Sequence, residues 1–187
     1  MVAKRGKARV LRTRVMWRGP LFRVTSETVV EPGGITTRRD VVRHPGSIVV
    51  LAMEGSTRPA SVLLERQYRH AANQFLWELP AGRIDQGETA LAAARRELLE
   101  ETGYSARRWR RALVFYPSPG FLDETITVYL AQDLKAGRAR PEADELISTR
   151  FFSLAAALRM AQRGVICDGK TLTALFWFAS VKGRVRR

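Results

Sequence analysis

The sequence is poor in the residues that build disulfides and zinc sites. Of 187 residues, one is cysteine, Cys167, and two are histidine, His44 and His70. A single cysteine excludes an intramolecular disulfide, and we expect Cys167 to be a small buried hydrophobic side chain rather than a nucleophile. Two histidines that lie far apart in the sequence argue against a zinc site, because zinc prefers histidine and cysteine ligands.

Long apolar runs are also absent from the sequence. The longest nearly apolar run, residues 172–181, is too short to cross a bilayer as a helix. No apolar stretch follows the first basic residues, as it would in a secretory signal. A chain of this length with 45% hydrophobic residues can still bury a sizeable core. We therefore expect one cytoplasmic globular domain with no membrane contact.

Acidic residues are scarce, with 18 Asp and Glu against 32 Lys and Arg and a net charge of +14. Such an excess is typical of proteins that bind nucleic acid or anionic surfaces. Twelve of the basic residues, however, fall within 1–23 and 182–187, and the remaining 20 nearly balance the acids. We predict basic tails at 1–19 and 182–187 that solvate the protein, with nucleic-acid contact as the less favoured alternative. The four arginines of residues 107–111 are expected in an exposed loop or helix end.

Apolar patterning predicts strands on both sides of one long helix. Pro32-Gly33-Gly34 is a turn signal between two strand-like runs, and residues 47–53 form a continuous apolar run that suits a buried strand. The order of strands, one long helix, more strands and two final helices favours a mixed α/β or α+β sandwich over a doubly wound sheet. Further strands are predicted around 60–69, 111–117, 124–134 and 147–154, with the two helices near 154–164 and 168–183.

The long helix, predicted at 88–102, carries a concentration of negative charge. Like charges three and four residues apart destabilise an isolated helix by roughly a few tenths of a kcal/mol per pair. Either salt bridges from Arg95 and Arg96 compensate on a solvated helix, or a divalent cation binds the carboxylates. Oxygen-only ligands indicate Mg²⁺ or Mn²⁺, and Mg²⁺ is commonly held together with substrate phosphates. The acidic residues are Glu88, Glu97, Glu100 and Glu101.

The spacing of this segment resembles the Nudix box over its full length. Gly82 and Glu88 stand at the box positions ahead of the run R-E-L-L-E-E-T-G-Y at 96–104. Every fixed position matches, and Tyr104, where an aliphatic residue is more usual, is one soft departure. The resemblance implies a Nudix-type α/β/α sandwich around a mixed β-sheet. It also implies metal-dependent hydrolysis of a nucleoside diphosphate linked to another group.

Roles for the box residues follow from the same resemblance. Glu97, Glu100 and Glu101 would ligate the divalent ions, Mg²⁺ with Mn²⁺ as the alternative, and the carbonyl of Ala81 would add a ligand. Arg96 would orient the glutamates through charge-assisted hydrogen bonds, and Glu88 would support the site. On this basis Arg96 and Glu100 are also counted among the catalytic residues.

Segments outside the box resemble the ADP-ribose pyrophosphatase branch of the family. These are "RQYRH", "LWELPAG" and "SPGFLDE", and Pro119 lies fifteen residues after Tyr104, as in that branch. The likeness covers roughly residues 27–181 and implies a Nudix domain at 46–181. It further implies an N-terminal antiparallel β arm at 20–45 that serves a homodimer, whose active site is completed across the interface.

Further site residues are predicted on both sides of the box. Arg66 and Arg69 are placed to bind the diphosphate, because guanidinium groups match phosphate oxygens, with solvated strand-end charges as the alternative. Phe121 and Glu124 of an acidic loop are candidates for binding the terminal ribose, with an ordinary solvated loop as the alternative. Trp77 is expected in the core.

The resemblance implies that the catalytic base is a loop glutamate after the box. We predict Glu142 as this base, with Glu145 as second choice or as an extra metal ligand. An exposed turn is the alternative for this last segment.

The predicted function is Mg²⁺-dependent hydrolysis of a small-molecule nucleoside diphosphate sugar, namely of ADP-ribose to AMP and ribose 5-phosphate. The nearest alternative is the same chemistry on another sugar nucleotide, such as GDP-mannose. A second is an RNA 5′-end pyrophosphohydrolase that grips its substrate with the basic tails. A third, from another class, is a non-catalytic nucleotide-sugar sensor, which the intact box disfavours.

Overall fold

The computed structural model describes residues 6–55, 60–141 and 146–184. It divides into two compact units. The first comprises Met1–Pro45 and Tyr116–Thr125, and the second comprises Gly46–Phe115 and Ile126–Arg187. No helix among the described residues is long and apolar enough to cross a membrane.

The first unit is built on a three-stranded antiparallel sheet in the order β1-β2-β3, formed by β1 (Arg9–Arg18), β2 (Arg23–Val30) and β3 (Thr36–Arg43). The hairpin predicted between the second and third strands is confirmed. Its turn closes through the Gly34 amide, which donates to the Glu31 carbonyl at 2.8 Å. The arm predicted at 20–45 therefore corresponds to β2 and β3.

Strand β1 lies within residues 1–19, which we predicted as a basic tail. All ten of its residues are exposed, and two β-bulges interrupt its pairing with β2, between Val10 and Arg12 and between Val15 and Trp17. Each bulge inserts a residue and shifts the two-residue alternation of side chains. An exposed, bulged edge strand has no buried periodicity, and for this reason the sequence pattern did not reveal it.

An ion-pair network in the first unit fixes the loop that contains "SPGFLD". Arg43 of β3 donates to Glu27 at 2.6 Å and to Asp123 at 2.9 Å. Hydrogen bonds to these two carboxylates raise the pKa of Arg43. The Asp123 carboxylate also accepts from the His44 amide at 2.8 Å, so the loop is tied to the end of β3 by side chain and backbone.

The second unit contains a mixed seven-stranded sheet. Its main path runs β10-β5-β4-β9-β8, with β6 paired to β5 and β7 paired to β4. The β4–β9 pair is parallel, and the other pairs between described strands of this sheet are antiparallel. The strands are β4 (Ser47–Glu54), β5 (Ser61–Arg69), β6 (Gln74–Glu78), β7 (Ala81–Arg83), β8 (Tyr104–Phe115), β9 (Ile126–Ala136) and β10 (Ile147–Ser153).

Helices cover both faces of this sheet, which confirms the predicted sandwich within the second unit. The helices are α1 (Ala90–Thr102), α2 (Leu154–Gln162) and α3 (Gly169–Arg184). On the central strand β4, Val49 and Leu51 pack in a cluster with residues of α2 and α3, whereas Ile48 and Val50 pack in a cluster with residues of α1. A strand buried on both faces reads as an unbroken apolar run, and the "SIVVLAM" pattern arises for this reason.

Two predictions about individual segments are wrong. Residues 107–111 lie in strand β8 rather than in a loop or helix end. This strand is the last of the main path, so its arginines reach solvent while its backbone pairs with β9. Cys167 is exposed rather than buried, because in the connection between α2 and α3 the neighbouring Ile166 takes the core position.

Asp168 caps the start of α3, as the sequence predicts. Its carboxylate accepts from the Thr171 amide at 2.9 Å and from the Lys170 ammonium at 2.7 Å. Burial raises the pKa of Asp168, but the attraction of Lys170 and the hydrogen bonds of Thr171 outweigh it, and the net pKa is lowered. Helix α3 continues to Arg184, so it includes the beginning of the segment predicted as a C-terminal tail.

The Asp168→Asn substitution tests this cap, because asparagine keeps the capping geometry and removes the charge. A carboxylate whose pKa is lowered by folding stabilises the folded state at pH values above its unfolded pKa of ~3.9. This stabilisation is lost as the pH falls through the pKa of the folded state. We therefore expect the variant to be less stable than wild type at pH 7 by about 1.5–3 kcal/mol, the usual contribution of a hydrogen bond to a charged group, with a smaller difference at pH 3. Urea unfolding at pH 7 and at pH 3 measures the free energy of unfolding of both proteins. An equal difference between wild type and variant at the two pH values would contradict the assignment of Asp168 as a charged cap.

Candidate active site

Helix α1 begins two residues after the predicted start at 88 and ends at the predicted residue, Thr102. Thr89 caps the first turn by accepting from the Ala92 amide at 3.2 Å. Gly103 ends the helix in the left-handed region with φ 74°, a conformation that glycine adopts without strain. Ala94 and Leu98 are buried toward the sheet, as predicted. The helix is thus held at both ends and along one face, and its glutamates are positioned by that packing.

Glu101 is a buried carboxylate, with 5% of its surface exposed. Its Oε2 accepts a hydrogen bond from the Ala81 amide at 3.1 Å. Ala81 opens strand β7, which pairs with the central strand β4. The carboxylate is therefore anchored to the sheet backbone through the Ala81 amide, whereas the ligand predicted at this residue is its carbonyl.

Glu97 lies against the same short strand. Its side chain is 14% exposed, and a methyl group added to Gly82 would overlap its carboxylate. The box glycine is thus explained by close approach: only a residue without Cβ lets the Glu97 side chain rest on β7. The motif identifies Gly82 as a box residue, and its contact with Glu97 explains why the position requires glycine.

Arg96 compensates the repulsion among the glutamates. Its Nη1 donates to Glu97 Oε1 at 2.8 Å and to Glu100 Oε2 at 3.1 Å, while its Nη2 donates to Glu88 Oε2 at 3.0 Å. The hydrogen bond to Glu88 is the largest of the effects that raise the pKa of Arg96, and the same bond lowers the pKa of Glu88. A further contact, from Arg96 Nη2 to the Arg83 carbonyl at 3.1 Å, ties the network to β7.

The cluster therefore combines the two explanations that the sequence left open. A salt-bridging arginine is present, but Glu97 and Glu101 are not solvated. Within residues 6–55, 60–141 and 146–184, no three acidic, histidine or cysteine side chains already surround a common cation position. Arg96 supplies part of the positive charge that a bound cation would bring to these carboxylates. The donor set that the box implies, three carboxylates and the Ala81 carbonyl, nevertheless has the hard oxygen chemistry that Mg²⁺ and Mn²⁺ prefer.

A second charged cluster adjoins the box, and sequence reasoning missed most of it. Glu78, fully buried on β6, accepts from Arg69 at 3.0 and 2.9 Å and from Lys170 at 3.1 Å. Burial lowers the pKa of Arg69, but Glu78 and the more distant field of Glu65 and Glu101 outweigh it and raise the net value. The sequence does contain a signal for this cluster: every second position at the end of an otherwise apolar strand is polar. These positions are Glu65, Gln67 and Arg69.

The two arginines predicted to bind diphosphate lie on opposite faces of β5, because side chains three positions apart on a strand point to opposite sides. Arg69 shares its face with Leu63, which belongs to the α1 cluster. Arg66 instead stacks over the Phe75 ring, with its guanidinium carbon 4.9 Å from the ring centroid. Trp77 packs edge-on against Phe152 beside the core, as expected.

The remaining predicted site residues belong to the first unit or fall outside the described part of the chain. Phe121 and Glu124 belong to the first unit, where Phe121 is 56% exposed and Glu124 lies 3.5 Å from His44 Nδ1. Glu142 and Glu145 fall outside the described residues. The structure thus brings together Ala81, Arg96, Glu97, Glu100 and Glu101, with Glu88 as their neighbour.

Comparison with known proteins agrees with this geometry. The NUDIX domain model matches residues 42–175. An ADP-ribose pyrophosphatase of Bacillus subtilis (strain 168) is 34% identical over 159 residues, which cover 84% of each chain. An ADP-ribose pyrophosphatase of Mycobacterium tuberculosis is 37% identical over 153 residues, covering 80% of this chain and 72% of the relative.

The fold also has a close counterpart among solved structures. A crystal structure of an ADP compounds hydrolase superposes with a TM-score of 0.80 at 22% identity, over 97% of this chain and 98% of that one. At this identity the superposition supports the fold alone. The box, the sandwich that holds it and the family match over most of the chain lead to one conclusion: the protein belongs to the NUDIX family of hydrolases.

Proposed function

We propose that the protein hydrolyses ADP-ribose to AMP and ribose 5-phosphate with the aid of Mg²⁺. The observation that carries this proposal is the cluster of Glu97, Glu100 and Glu101 anchored on β7, within a chain similar to two ADP-ribose pyrophosphatases. An acidic site suits a diphosphate substrate only when a divalent cation accompanies it, since the bare carboxylates would repel the phosphates.

In this proposal Glu97, Glu100, Glu101 and the Ala81 carbonyl hold the divalent ion. A bound Mg²⁺ supplies charge neutralisation for the phosphoryl oxygens and lowers the pKa of bound water. Arg96 limits the movement of the glutamates through the bonds described above. Glu142 is the proposed base for the attacking water, with Glu145 as second choice.

The proposal is tested by incubating purified protein with ADP-ribose and Mg²⁺ and separating the products by ion-exchange chromatography. AMP and ribose 5-phosphate in equal amounts are expected, and EDTA should abolish their formation. Replacing Mg²⁺ by Mn²⁺ examines the alternative ion. Absence of turnover with ADP-ribose and with every other sugar nucleotide would contradict the enzymatic proposal and favour the nucleotide-sugar sensor.

GDP-mannose is the alternative substrate, since the same cluster would serve any nucleoside diphosphate sugar. Side-by-side kcat/KM values for ADP-ribose and GDP-mannose decide between them. The RNA 5′-end alternative requires a different control. Because residues 9–18 form a strand, deletion of residues 1–8 is the appropriate truncation. If basic residues there grip RNA, only the RNA activity should fall.

We also propose that the protein acts as a homodimer through its N-terminal sheet. The edge strand β1 exposes apolar side chains that an isolated monomer would leave in water. Light scattering coupled to size-exclusion chromatography measures the mass, for which twice the 21.1 kDa of one chain is expected. A monomeric mass at micromolar concentration would contradict this proposal. The exposed apolar residues are Val10, Leu11, Val15, Met16 and Trp17.

The positions of the two β5 arginines lead to a prediction about substrate binding. Arg69 lies on the α1 face, so its replacement by glutamine should raise KM for ADP-ribose by about tenfold or more, as expected for loss of a charge-assisted bond. Arg66→Gln is the matched control, because Arg66 points to the other face and contacts Phe75. Steady-state kinetics of both variants measure the effect. A larger KM change in Arg66→Gln would reverse the assignment.

A further inference from the structure

The first turn of helix α3 contacts a buried carboxylate to which the proposed hydrolysis assigns no role. This carboxylate belongs to Glu78 at the end of β6, whose side chain is only 1% exposed. Its Oε1 accepts from Arg69 Nε at 3.0 Å, and its Oε2 accepts from Arg69 Nη2 at 2.9 Å and from Lys170 Nζ at 3.1 Å. Two cations from distant parts of the chain therefore share one carboxylate.

The Lys170 ammonium is itself held in place by its own helix. Asp168 accepts from it at 2.7 Å. The next residue, Thr171, accepts from the Leu79 amide at 2.9 Å and donates to Asp168 at 2.7 Å. Burial lowers the pKa of Lys170, but the attraction of Asp168 and Glu78 outweighs it and raises the net value, so the ammonium stays charged at neutral pH. The turn thus holds the end of β6 by side chain and by backbone.

The pairing with Glu78 leaves one edge of the Arg69 guanidinium open. The carboxylate occupies Nε and Nη2, whereas Nη1 donates to no atom of the residues that the structure describes. The Arg69 side chain is 36% exposed, and Glu101 of the glutamate cluster is among the charges that raise its pKa. The open edge therefore lies within electrostatic reach of that cluster. Because two N–H groups bind one carboxylate, the direction of Nη1 follows the direction of Glu78.

We propose that Lys170 is a positioning residue for the hydrolysis, acting through Glu78 to direct Arg69 at the diphosphate. Lys170 supplies the second donor that fixes Glu78 Oε2, and the fixed carboxylate in turn fixes the guanidinium of Arg69. An arginine that is already held in its binding orientation loses less conformational entropy when phosphate oxygens bind, and this strengthens binding. Without Lys170 the carboxylate has one donor fewer, and Arg69 can turn together with it.

Charge compensation alone is the first competing explanation for Lys170. Removing one partner of a buried carboxylate destabilises the folded state whether or not that carboxylate serves a substrate. This role predicts lower stability with unchanged affinity of the folded protein for its substrate. A direct attraction between Lys170 and the phosphates is the second competing explanation, and it would act without Glu78. The three explanations differ in what removal of Lys170 does with and without the charge of Glu78.

The test is isothermal titration calorimetry of the full chain with α,β-methylene ADP-ribose, a non-hydrolysable analogue, in the presence of Mg²⁺. The variants are Lys170→Met, Glu78→Gln and the double variant that combines them. Each single variant should raise Kd by about tenfold, the lower end of what loss of an orienting partner costs at metal sites. The double variant should bind no more weakly than Glu78→Gln, because the charge through which Lys170 acts is already absent. Such non-additivity is expected of residues in one network.

The outcomes separate the three explanations. An unchanged Kd in Glu78→Gln or in Lys170→Met would overturn the proposal, and lower stability in thermal unfolding would then favour charge compensation alone. Losses that multiply in the double variant would overturn it in favour of direct attraction between Lys170 and the phosphates. Should Lys170→Met not fold, Lys170→Gln takes its place, since it removes the charge but keeps a polar group. A rise in Kd is again expected, and an unchanged Kd overturns the proposal.

Lys135→Met is the matched control, because it removes the same charge from an exposed position on β9. Its Kd should stay within about twofold of wild type, since salt screens exposed charges. A rise as large as that of Lys170→Met would show a net-charge effect and overturn the assignment.

Steady-state kinetics with ADP-ribose give a second measurement. Lys170→Met should raise KM by about tenfold and leave kcat within about twofold of wild type, because a lost binding interaction appears in KM while the glutamate cluster is untouched. A fall in kcat with an unchanged KM would overturn the positioning role, because the effect would then lie in the chemical step rather than in binding.

This inference rests on the proposed function, yet the two can fail separately. The calorimetric titration needs no turnover. A chain that binds the analogue through Glu78 and Lys170 but hydrolyses no ADP-ribose would keep the inference and lose the proposed hydrolysis. An active chain whose Kd responds to neither residue would lose the inference alone. Absence of binding by wild type would overturn the inference whatever the hydrolysis assay shows.

Discussion

Glu101→Gln is expected to lower kcat for ADP-ribose hydrolysis by on the order of 10²–10³, as the loss of a single preorganised electrostatic group does in other enzymes. The amide has the shape of the carboxylate, and its oxygen can still accept from the Ala81 amide. The charge that would hold a divalent ion is lost. Glu97→Gln should behave alike, since its carboxylate rests on the same strand. Steady-state assays at saturating Mg²⁺, with thermal unfolding to check the fold, measure both.

Glu54→Gln is the matched control for these variants, because it makes the same substitution at an exposed position at the end of β4. Its kcat should equal that of wild type. If Glu97→Gln or Glu101→Gln keeps near-normal kcat with an intact fold, the metal assignment of that residue is wrong. A fall in kcat that higher Mg²⁺ partly restores would identify the lost group as a metal ligand.

Gly82→Ala is expected to have the second largest effect, lowering kcat by about 100-fold. The added methyl group would occupy the position of the Glu97 carboxylate, so Glu97 must move. Misplacing a catalytic group by about 1 Å costs roughly 10²-fold in rate. Most of the fold should remain, because the overlap involves a side chain at the site and no core residue. Kinetics with ADP-ribose and a thermal unfolding curve measure the two effects separately.

Gly169→Ala provides the control, since a methyl group at this first residue of α3 meets nothing within 4 Å. Alanine is the better helix former, so this variant should be as active as wild type and slightly more stable. Near-wild-type kcat in Gly82→Ala would show that Glu97 can move without consequence, and would contradict the explanation given for the box glycine.

The box is the part of the site that sequence reasoning could specify in detail. Its residues are local, within one loop and helix, so spacing alone puts Glu97 and Glu101 on one helix face one turn apart. Arg96 and Glu88 follow from the same motif, and the structure joins them in one hydrogen-bond network. What spacing could not supply is the contact of Glu97 with Gly82, because it depends on how β7 meets α1.

Charges that are distant in sequence were beyond the reach of sequence reasoning. Glu78 meets Lys170 across 92 positions because α3 begins where β6 ends in space. The sequence marks both as ordinary charged residues, and burial alone turns them into a connected pair. The same limit applies to Arg66 and Arg69. The sequence shows that they point to opposite faces of β5, but it does not show which of these faces α1 covers.

Strands at the borders of the sheets show a related limit. The central strand β4 could be predicted because apolar side chains on both faces leave a continuous signal. Strand β1 left none, because it is exposed along its whole length and its bulges shift the alternation. Strand β8 was recognised only near its end, at 111–117, since its arginines at 107–111 resemble a solvated loop until their pairing with β9 is seen.

By itself, the sequence determined the sandwich, the helix that carries the glutamates and the family, because these depend on local spacing and on apolar periodicity. Tertiary structure alone decided which charges are buried together, which arginine faces α1 and why glycine stands at position 82. It also showed that three of the four arginines of 107–111 line a groove on a sheet edge. Each of these depends on residues far apart in the chain being brought within a few ångströms, which no local pattern records.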